Sequence, residues 1–208
     1  MILGSDTRHE FAGLFSLYEW VMVVTAALVF GVVLFAVVRY RRRAGRPPST
    51  RTEANTLELI YALVLAVVVA VLVTKTFTTE NRVDAIASGV ERRVEVTGFK
   101  WGWRFEYAGT GVSVVGDNRR APTLHLPVGV PVVFVQRSRD VVHSFWIPAL
   151  RFKRDVWPDE ATQFELTVAR AGVYAGRCAE FCGLHHSDMN FTVVAEPRER
   201  FDRWLAAQ

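Results

Sequence analysis

Only two of the 208 residues are cysteine, and both sit in one short stretch, at Cys178 and Cys182. So few thiols exclude a disulfide-stapled scaffold. Charge is missing from two long runs: neither residues 20–38 nor residues 59–74 contain Asp, Glu, Lys or Arg. With their flanks, both approach the ~20 apolar residues that span a bilayer. Neither has a polar face, which argues against a helix buried in a globular core. Acid is almost absent from the connector. There Arg39, Arg41, Arg42, Arg43, Arg46 and Arg51 stand against Glu53 alone. No Cys-x-x-Cys-His motif occurs, so no attached heme domain is expected. Internal repeats and low-complexity segments are absent too.

What is present divides in two. Residues 1–79 read as a transmembrane helical hairpin, with spans at about 15–38 and 57–77 joined by an Arg-rich loop, 39–53. Lysine and arginine favour the cytoplasmic side. The loop is therefore expected in the cytoplasm, with the N-terminus and residues 80–208 outside a bacterial-type plasma membrane. The first run lies too far from the start, with no basic region before it, to act as a simple signal peptide. Residues 80–208 hold seventeen Lys+Arg against sixteen Asp+Glu. The basic excess of the whole chain thus reflects topology, and no nucleic-acid partner is implied.

The second part reads as β. Short runs rich in β-branched and aromatic residues, at 94–97, 123–126, 132–135, 164–168 and 191–194, are punctuated by Gly, Pro, Asn and Asp. Several short strands of this kind imply a sandwich or barrel. Phe201, Trp204 and Leu205 fall at helical spacing and predict a short amphipathic helix over 197–208.

The chemistry is concentrated in Cys178-Ala-Glu-Phe-Cys182-Gly-Leu-His-His186-Ser-Asp-Met189. Thiolate, imidazole and thioether are soft or borderline donors that together select copper. The spacing suits a loop folded around metal between two strands. Two thiolates beside His and Met suggest two coppers sharing bridging sulfurs. A disulfide between the cysteines is an alternative, but its loop would be tiny and would stabilise little. Zinc is another, although Met is a poor zinc ligand. A second imidazole stands upstream, in Asp140-Val-Val-His143-Ser-Phe-Trp-Ile-Pro148. Alone, such a histidine reads as a core residue; beside the Cys/His/Met loop it reads as a ligand. His125, in an alternating strand, reads as structural.

The chain resembles subunit II of the heme-copper terminal oxidases, the cytochrome c oxidase family with a binuclear CuA centre. The resemblance rests on Val142–Pro148, Lys153-Arg-Asp155, Pro158, Gly172–Gly183 with His186 and Met189, and the aromatic run Trp101-Gly-Trp103-Arg-Phe105-Glu-Tyr107. With the two spans ahead, it covers nearly the whole chain. It implies a membrane α plus all-β fold: a two-helix hairpin followed by a cupredoxin-like Greek-key β-sandwich. It also implies ligand roles. Cys178 and Cys182 bridge both coppers. His143 and Met189 complete one, and His186 with the backbone carbonyl of Glu180 completes the other. His185 competes with His186, but only His186 keeps the three-residue gap after Cys182.

Further roles follow from the same resemblance. Trp101 matches the aromatic residue that receives electrons from cytochrome c, whereas Trp103 reads as a core aromatic. The Glu180 carboxylate would help hold a magnesium or manganese ion against the heme-bearing large subunit. Glu58, at the cytoplasmic start of the second span, matches a glutamate that opens a proton path into that subunit, although Tyr61-Ala-Leu-Val-Leu65 replaces the usual residues after it. Electrons would pass through copper to heme in the large subunit, where oxygen is reduced to water and protons are pumped. The run 101–107 departs from the family pattern at Gly102, Arg104 and Phe105, and the following segment is less acidic than in members that dock a basic soluble cytochrome c. The donor is thus open among soluble, membrane-tethered and supercomplex forms. Other oxidase subunits are expected partners. Two other classes remain: the CuA subunit of a nitric oxide reductase, and a membrane-tethered copper chaperone.

Overall fold

The computed structural model describes residues 7–41 and 53–208. Most of the Arg-rich connector lies outside them. The chain divides into a helical unit, Ala12–Glu80, and a unit built on Asn81–Gln208.

Helices α1 (Thr7–Arg39) and α2 (Asn55–Asp84) contain the two uncharged runs. Both are long and apolar enough to cross a membrane, and within their most apolar windows nothing is buried by protein. At 1.5 Å per residue α1 is about 50 Å long, beyond the ~30 Å hydrocarbon thickness. The helices outrun the apolar stretches because each added residue gains a backbone hydrogen bond once the helix has nucleated. Between them, the Tyr18 hydroxyl donates to Thr76 Oγ1 (2.8 Å), whose own proton goes to Leu72 O (2.8 Å). Both hydroxyls thereby find partners, as buried or membrane-embedded polar groups require.

Ten strands follow: β1 (Arg93–Phe99), β2 (Gly102–Tyr107), β3 (Ser113–Asp117), β4 (Thr123–Pro127), β5 (Val132–Ser138), β6 (His143–Ile147), β7 (Phe152–Val156), β8 (Thr162–Leu166), β9 (Gly172–Cys178) and β10 (Asn190–Glu196). They form two five-stranded sheets, in the orders β3-β2-β1-β5-β8 and β4-β10-β9-β6-β7. The pairs β1/β5 and β4/β10 are parallel; the others are antiparallel. The chain changes sheet repeatedly, giving the Greek-key sandwich expected from the sequence. Helix α3 (Arg198–Ala206) closes it, with Phe201 buried against Tyr107.

Alternation fixes the core. Along β2, Trp103, Phe105 and Tyr107 point inward and Arg104 and Glu106 outward. Aromatic rings fill the space between the sheets. Phe134 stacks on Phe164 at 4.9 Å, and Phe145 on Phe191 at 4.6 Å. Such pairs add to what their buried area contributes. Gly176 makes room for this packing, because a Cβ there would lie 2.1 Å from the Phe191 ring. The consequence is directional. Strands β6 and β9 pair through Phe145–Cys178 and Trp146–Arg177, which brings His143 and the Cys178 loop to the same end of the core.

Candidate metal centre

His143 opens β6 and is fully buried. Burial pushes its ring pKa below the usual histidine value, only partly offset by Asp140. The imidazole is therefore neutral near pH 7. Its Nε2 lies 2.9 Å from Asp140 Oδ1, and a carboxylate can only accept, so the ring proton resides on Nε2. That leaves Nδ1 with a free lone pair, 3.9 Å from Cys178 Sγ. Asp140 is itself held by the Lys100 N–H (2.7 Å) and the Val141 N–H (2.7 Å). Burial raises the Asp140 pKa, but these donors and His143 outweigh it, and its carboxyl stays below the usual range. The β1 strand leaves space for the ring with Gly98, where a Cβ would come 3.1 Å from His143 Cδ2.

The loop between β9 and β10 is pinned at both ends. Cys178 N–H donates to Met189 O (3.0 Å), and Ala179 N–H donates to Ser144 O (3.1 Å). Inside the loop, a turn of 3₁₀-helix at His186–Asp188 sets His186 and Met189 three residues apart. Cys178 Sγ lies 3.9 Å from Cys182 Sγ, far beyond the ~2.05 Å of a disulfide, and both thiols are free and buried. Cys178 Sγ is also 3.3 Å from the Glu180 carbonyl oxygen. Cys182 Sγ lies 3.6 Å from His186 Nδ1 and 3.7 Å from Met189 Sδ. Each thiol sulfur thus has two further donor atoms within 3.9 Å: His143 Nδ1 and the Glu180 carbonyl at Cys178, and His186 Nδ1 and Met189 Sδ at Cys182. His143, Cys178 and Cys182 also bring their ligand atoms within 4.8 Å of one another. This donor set fits copper, and the structure places Met189, a poor zinc ligand, inside the cluster.

The remaining candidates fall elsewhere. Trp101, in the β1–β2 turn, donates its indole N–H to Cys182 O (3.1 Å) and meets the His185 ring edge-on at 4.9 Å. It touches the cluster through the backbone and supplies no donor atom. His185 is half-buried, edge-on to Trp101 and 3.5 Å from Asp188. Trp103 is buried in the core beside His143, Phe145 and Phe191. His125 stacks flat on Trp204 at 4.0 Å and pairs with Glu196 (2.9 Å). Glu58 lies in the first turn of α2, in the helical unit. Among the described residues, no metal-binding group of His, Cys, Asp and Glu includes the Glu180 carboxylate. Asp140 is the functional residue that sequence reasoning passed over. A carboxylate three residues before a histidine ligand candidate is a readable signal of an orienting partner.

The chain is similar to known proteins of one family. Residues 117–196 match the family described as cytochrome C oxidase subunit II, periplasmic domain. The chain is 33% identical to the probable cytochrome c oxidase subunit 2 of Streptomyces avermitilis, an alignment covering 88% of this chain and 70% of that one. It is 30% identical to the corresponding protein of Streptomyces coelicolor, covering 98% and 77%. In structure, it resembles the periplasmic domain of subunit II of cytochrome oxidase from Bradyrhizobium japonicum. That likeness has a TM-score of 0.52 and 22% identity, covers 59% of this chain and 96% of that one, and concerns the fold.

Two outcomes are expected from the site. Asp140→Ala removes the acceptor that orients His143, and loss of such a partner commonly weakens metal binding about 10–100-fold. Competition against a copper chelator measures it, with unchanged affinity as the contrary result. The second concerns the metal-free protein. Burial, and then the neighbouring Cys178, push the Cys182 thiol from 9.0 up to about 12. The unfolded chain loses this proton first, so the thiol's contribution to stability is full below about pH 9 and declines as pH rises toward 12. Denaturation across that window should show a smaller decline in Cys182→Ser than in the native chain.

Proposed function

The chain belongs to the cytochrome c oxidase subunit II family, whose members are subunits of an oxidoreductase complex, and from that premise we propose that it is the electron-transfer subunit of a respiratory heme-copper oxidase. In this reading it holds a binuclear CuA centre outside the membrane. It accepts electrons from a cytochrome c and passes them toward heme in the large subunit, which reduces oxygen to water and pumps protons.

One observation carries the proposal. Each thiol lies beside one donor assigned to either copper. Cys178 is next to His143 Nδ1 and the Glu180 carbonyl, and Cys182 is next to His186 Nδ1 and Met189 Sδ. Sulfurs that bridge two ions must each border both coordination sets. A single-copper site with one spare cysteine has no need of that pattern. A copper pair would supply one-electron storage here. The chain supplies a rigid, buried donor set that keeps its shape when the charge changes, and it excludes water from the sulfurs.

The other residues take roles around that centre. Trp101 is the electron-uptake residue, coupled to the centre through its hydrogen bond to Cys182 O. Glu180 turns its carbonyl to copper and offers its carboxylate, a hard ligand suited to magnesium or manganese, to a site completed by the large subunit. Glu58 marks the mouth of a proton path on the cytoplasmic side. The helices α1 and α2 anchor the subunit in the lipid bilayer, with the Arg-rich loop inside and the β unit outside. A β-sandwich with two apolar helices also speaks against a tethered copper chaperone, which would use one anchor and an α/β domain.

Metal analysis and donor kinetics test the proposal. The full chain should bind two coppers, and Cys178→Ser or Cys182→Ser should each lose the native centre. Trp101→Phe should keep the copper content and spectrum while electron uptake from the physiological donor falls sharply. One copper per chain would sink the binuclear assignment. Normal donor kinetics in Trp101→Phe would sink the role of the indole.

A further inference from the structure

The surface beside Trp101 is basic, and we propose that it docks an electron-donor protein whose contact face is acidic. The inference rests on the electron-uptake role of Trp101 given above and adds the sign of charge that the partner must present.

The cluster is built by strand register. Thr97 on β1 pairs with Arg104 on β2 and with Arg137 on β5, which sets the three in one row on the outward face of the sheet. Arg139 follows two residues beyond Arg137, on the same side of the strand path. Thr97, Arg104, Arg137, Ser138 and Arg139 line one shallow depression. This face adjoins the backbone that leads into Trp101. Arg139 N–H donates to Gly98 O (2.9 Å), and Lys100 N–H donates to Asp140 Oδ2 (2.7 Å). The Arg139–Asp140 segment therefore runs alongside Gly98–Lys100, immediately before Trp101.

The nearby acids keep their charge, but none of them lines the depression that holds the three arginines. Asp140 spends its oxygens on Lys100 N–H, Val141 N–H and His143. Asp117 caps the Arg119 and Arg120 amides. Asp188 faces His185 at 3.5 Å. Glu106 lies 3.7 Å from Arg104 and opposes Glu95 one step further from the turn. Asp159 and Glu160 stand in the β7–β8 loop, which reaches this edge through Ser138 N–H to Trp157 O (2.9 Å). Among the described residues, neither forms an ion pair with Arg137, Arg139 or Lys100, and those three cations have no carboxylate partner. Arg137 and Arg139 are exposed.

Unpaired cations around an electron-uptake point set the approach of a charged partner. They speed encounter with acidic surfaces and repel basic ones, and salt screens both effects. Like charges facing across an interface work against a lysine-rich donor. Arginine suits the role, because its planar fork grips carboxylates with two parallel hydrogen bonds.

Binding to the detergent-solubilised full chain tests the inference without relying on turnover. The probes are a lysine-rich mitochondrial cytochrome c and the same protein with its lysines succinylated, each titrated by calorimetry. At low ionic strength the succinylated form should bind at least ~10-fold more tightly. The gap should collapse near 1 M salt, where the Debye length is about 3 Å. The double variant R137E/R139E should reverse the preference while its copper spectrum stays native, and R137Q/R139Q should abolish it if charge reversal disturbs folding. Equal or tighter binding of the lysine-rich form overturns the inference, as does a preference that salt or R137E/R139E leaves unchanged. Copper content, read separately, keeps this outcome distinct. A chain that lacks the copper pair yet prefers the acidic probe refutes the metal assignment and leaves the docking face standing.

Discussion

The hydrogen bond from His143 Nε2 to Asp140 is the contact on which the rest of the site depends. It decides which imidazole nitrogen keeps its proton and therefore which one can bind metal. It also ties three segments together. Asp140 accepts from the backbone of Lys100 at the β1–β2 turn, His143 begins β6, and His143 Nδ1 faces the sulfur of Cys178 at the end of β9. The turn that carries Trp101 is thereby fixed to the strand that carries a ligand. In the proposed reading, electron uptake and metal binding would share one rigid scaffold, and the side chain linking them is itself no ligand.

Burial gives that scaffold its stiffness and sets its charge. His143 packs against Trp103 at the end of an aromatic core in which Phe145 stacks on Phe191. Tight packing of this kind resists displacement. The same burial favours a neutral ring at His143 and a neutral thiol at Cys182. For the imidazole this favours metal binding, since the neutral form is the ligand. For the Cys182 thiol it opposes binding until metal displaces the proton. The empty-site chemistry and the loaded-site chemistry thus differ in protonation, with little need for movement of the backbone.

Much of this could be read from the chain, for identifiable reasons. The two apolar runs and the Cys-x3-Cys-x3-His-x2-Met spacing are local signals. They survive into the structure as α1, α2 and the β9–β10 loop. Strands with alternating β-branched residues, such as Val94–Thr97 and Val132–Val135, were legible in the same way. Strand β9 was not, because Gly172 and Gly176 look like turn residues. Gly176 is there because the Phe191 ring from the neighbouring strand occupies the space of its side chain. Strand β2 was not evident as a strand, although Trp103 reads as a core aromatic; its alternating Trp103, Phe105 and Tyr107 form the inner wall of the core. The Asp140–His143 pair lies within one short motif and was readable there; that Asp140 also holds the Lys100 amide, forty residues away in sequence, was not. The basic row of Arg104 and Arg137 likewise exists only through strand register. Non-local pairing makes these features, and no window of sequence contains both partners.

The central claim is that two thiols hold two coppers as one electronic unit. Electron paramagnetic resonance of the oxidised full chain tests it most directly, because hyperfine splitting counts the nuclei that share the unpaired electron. The account predicts one electron distributed equally over two copper nuclei. Splitting from a single copper nucleus, in a chain that binds one copper, would contradict it.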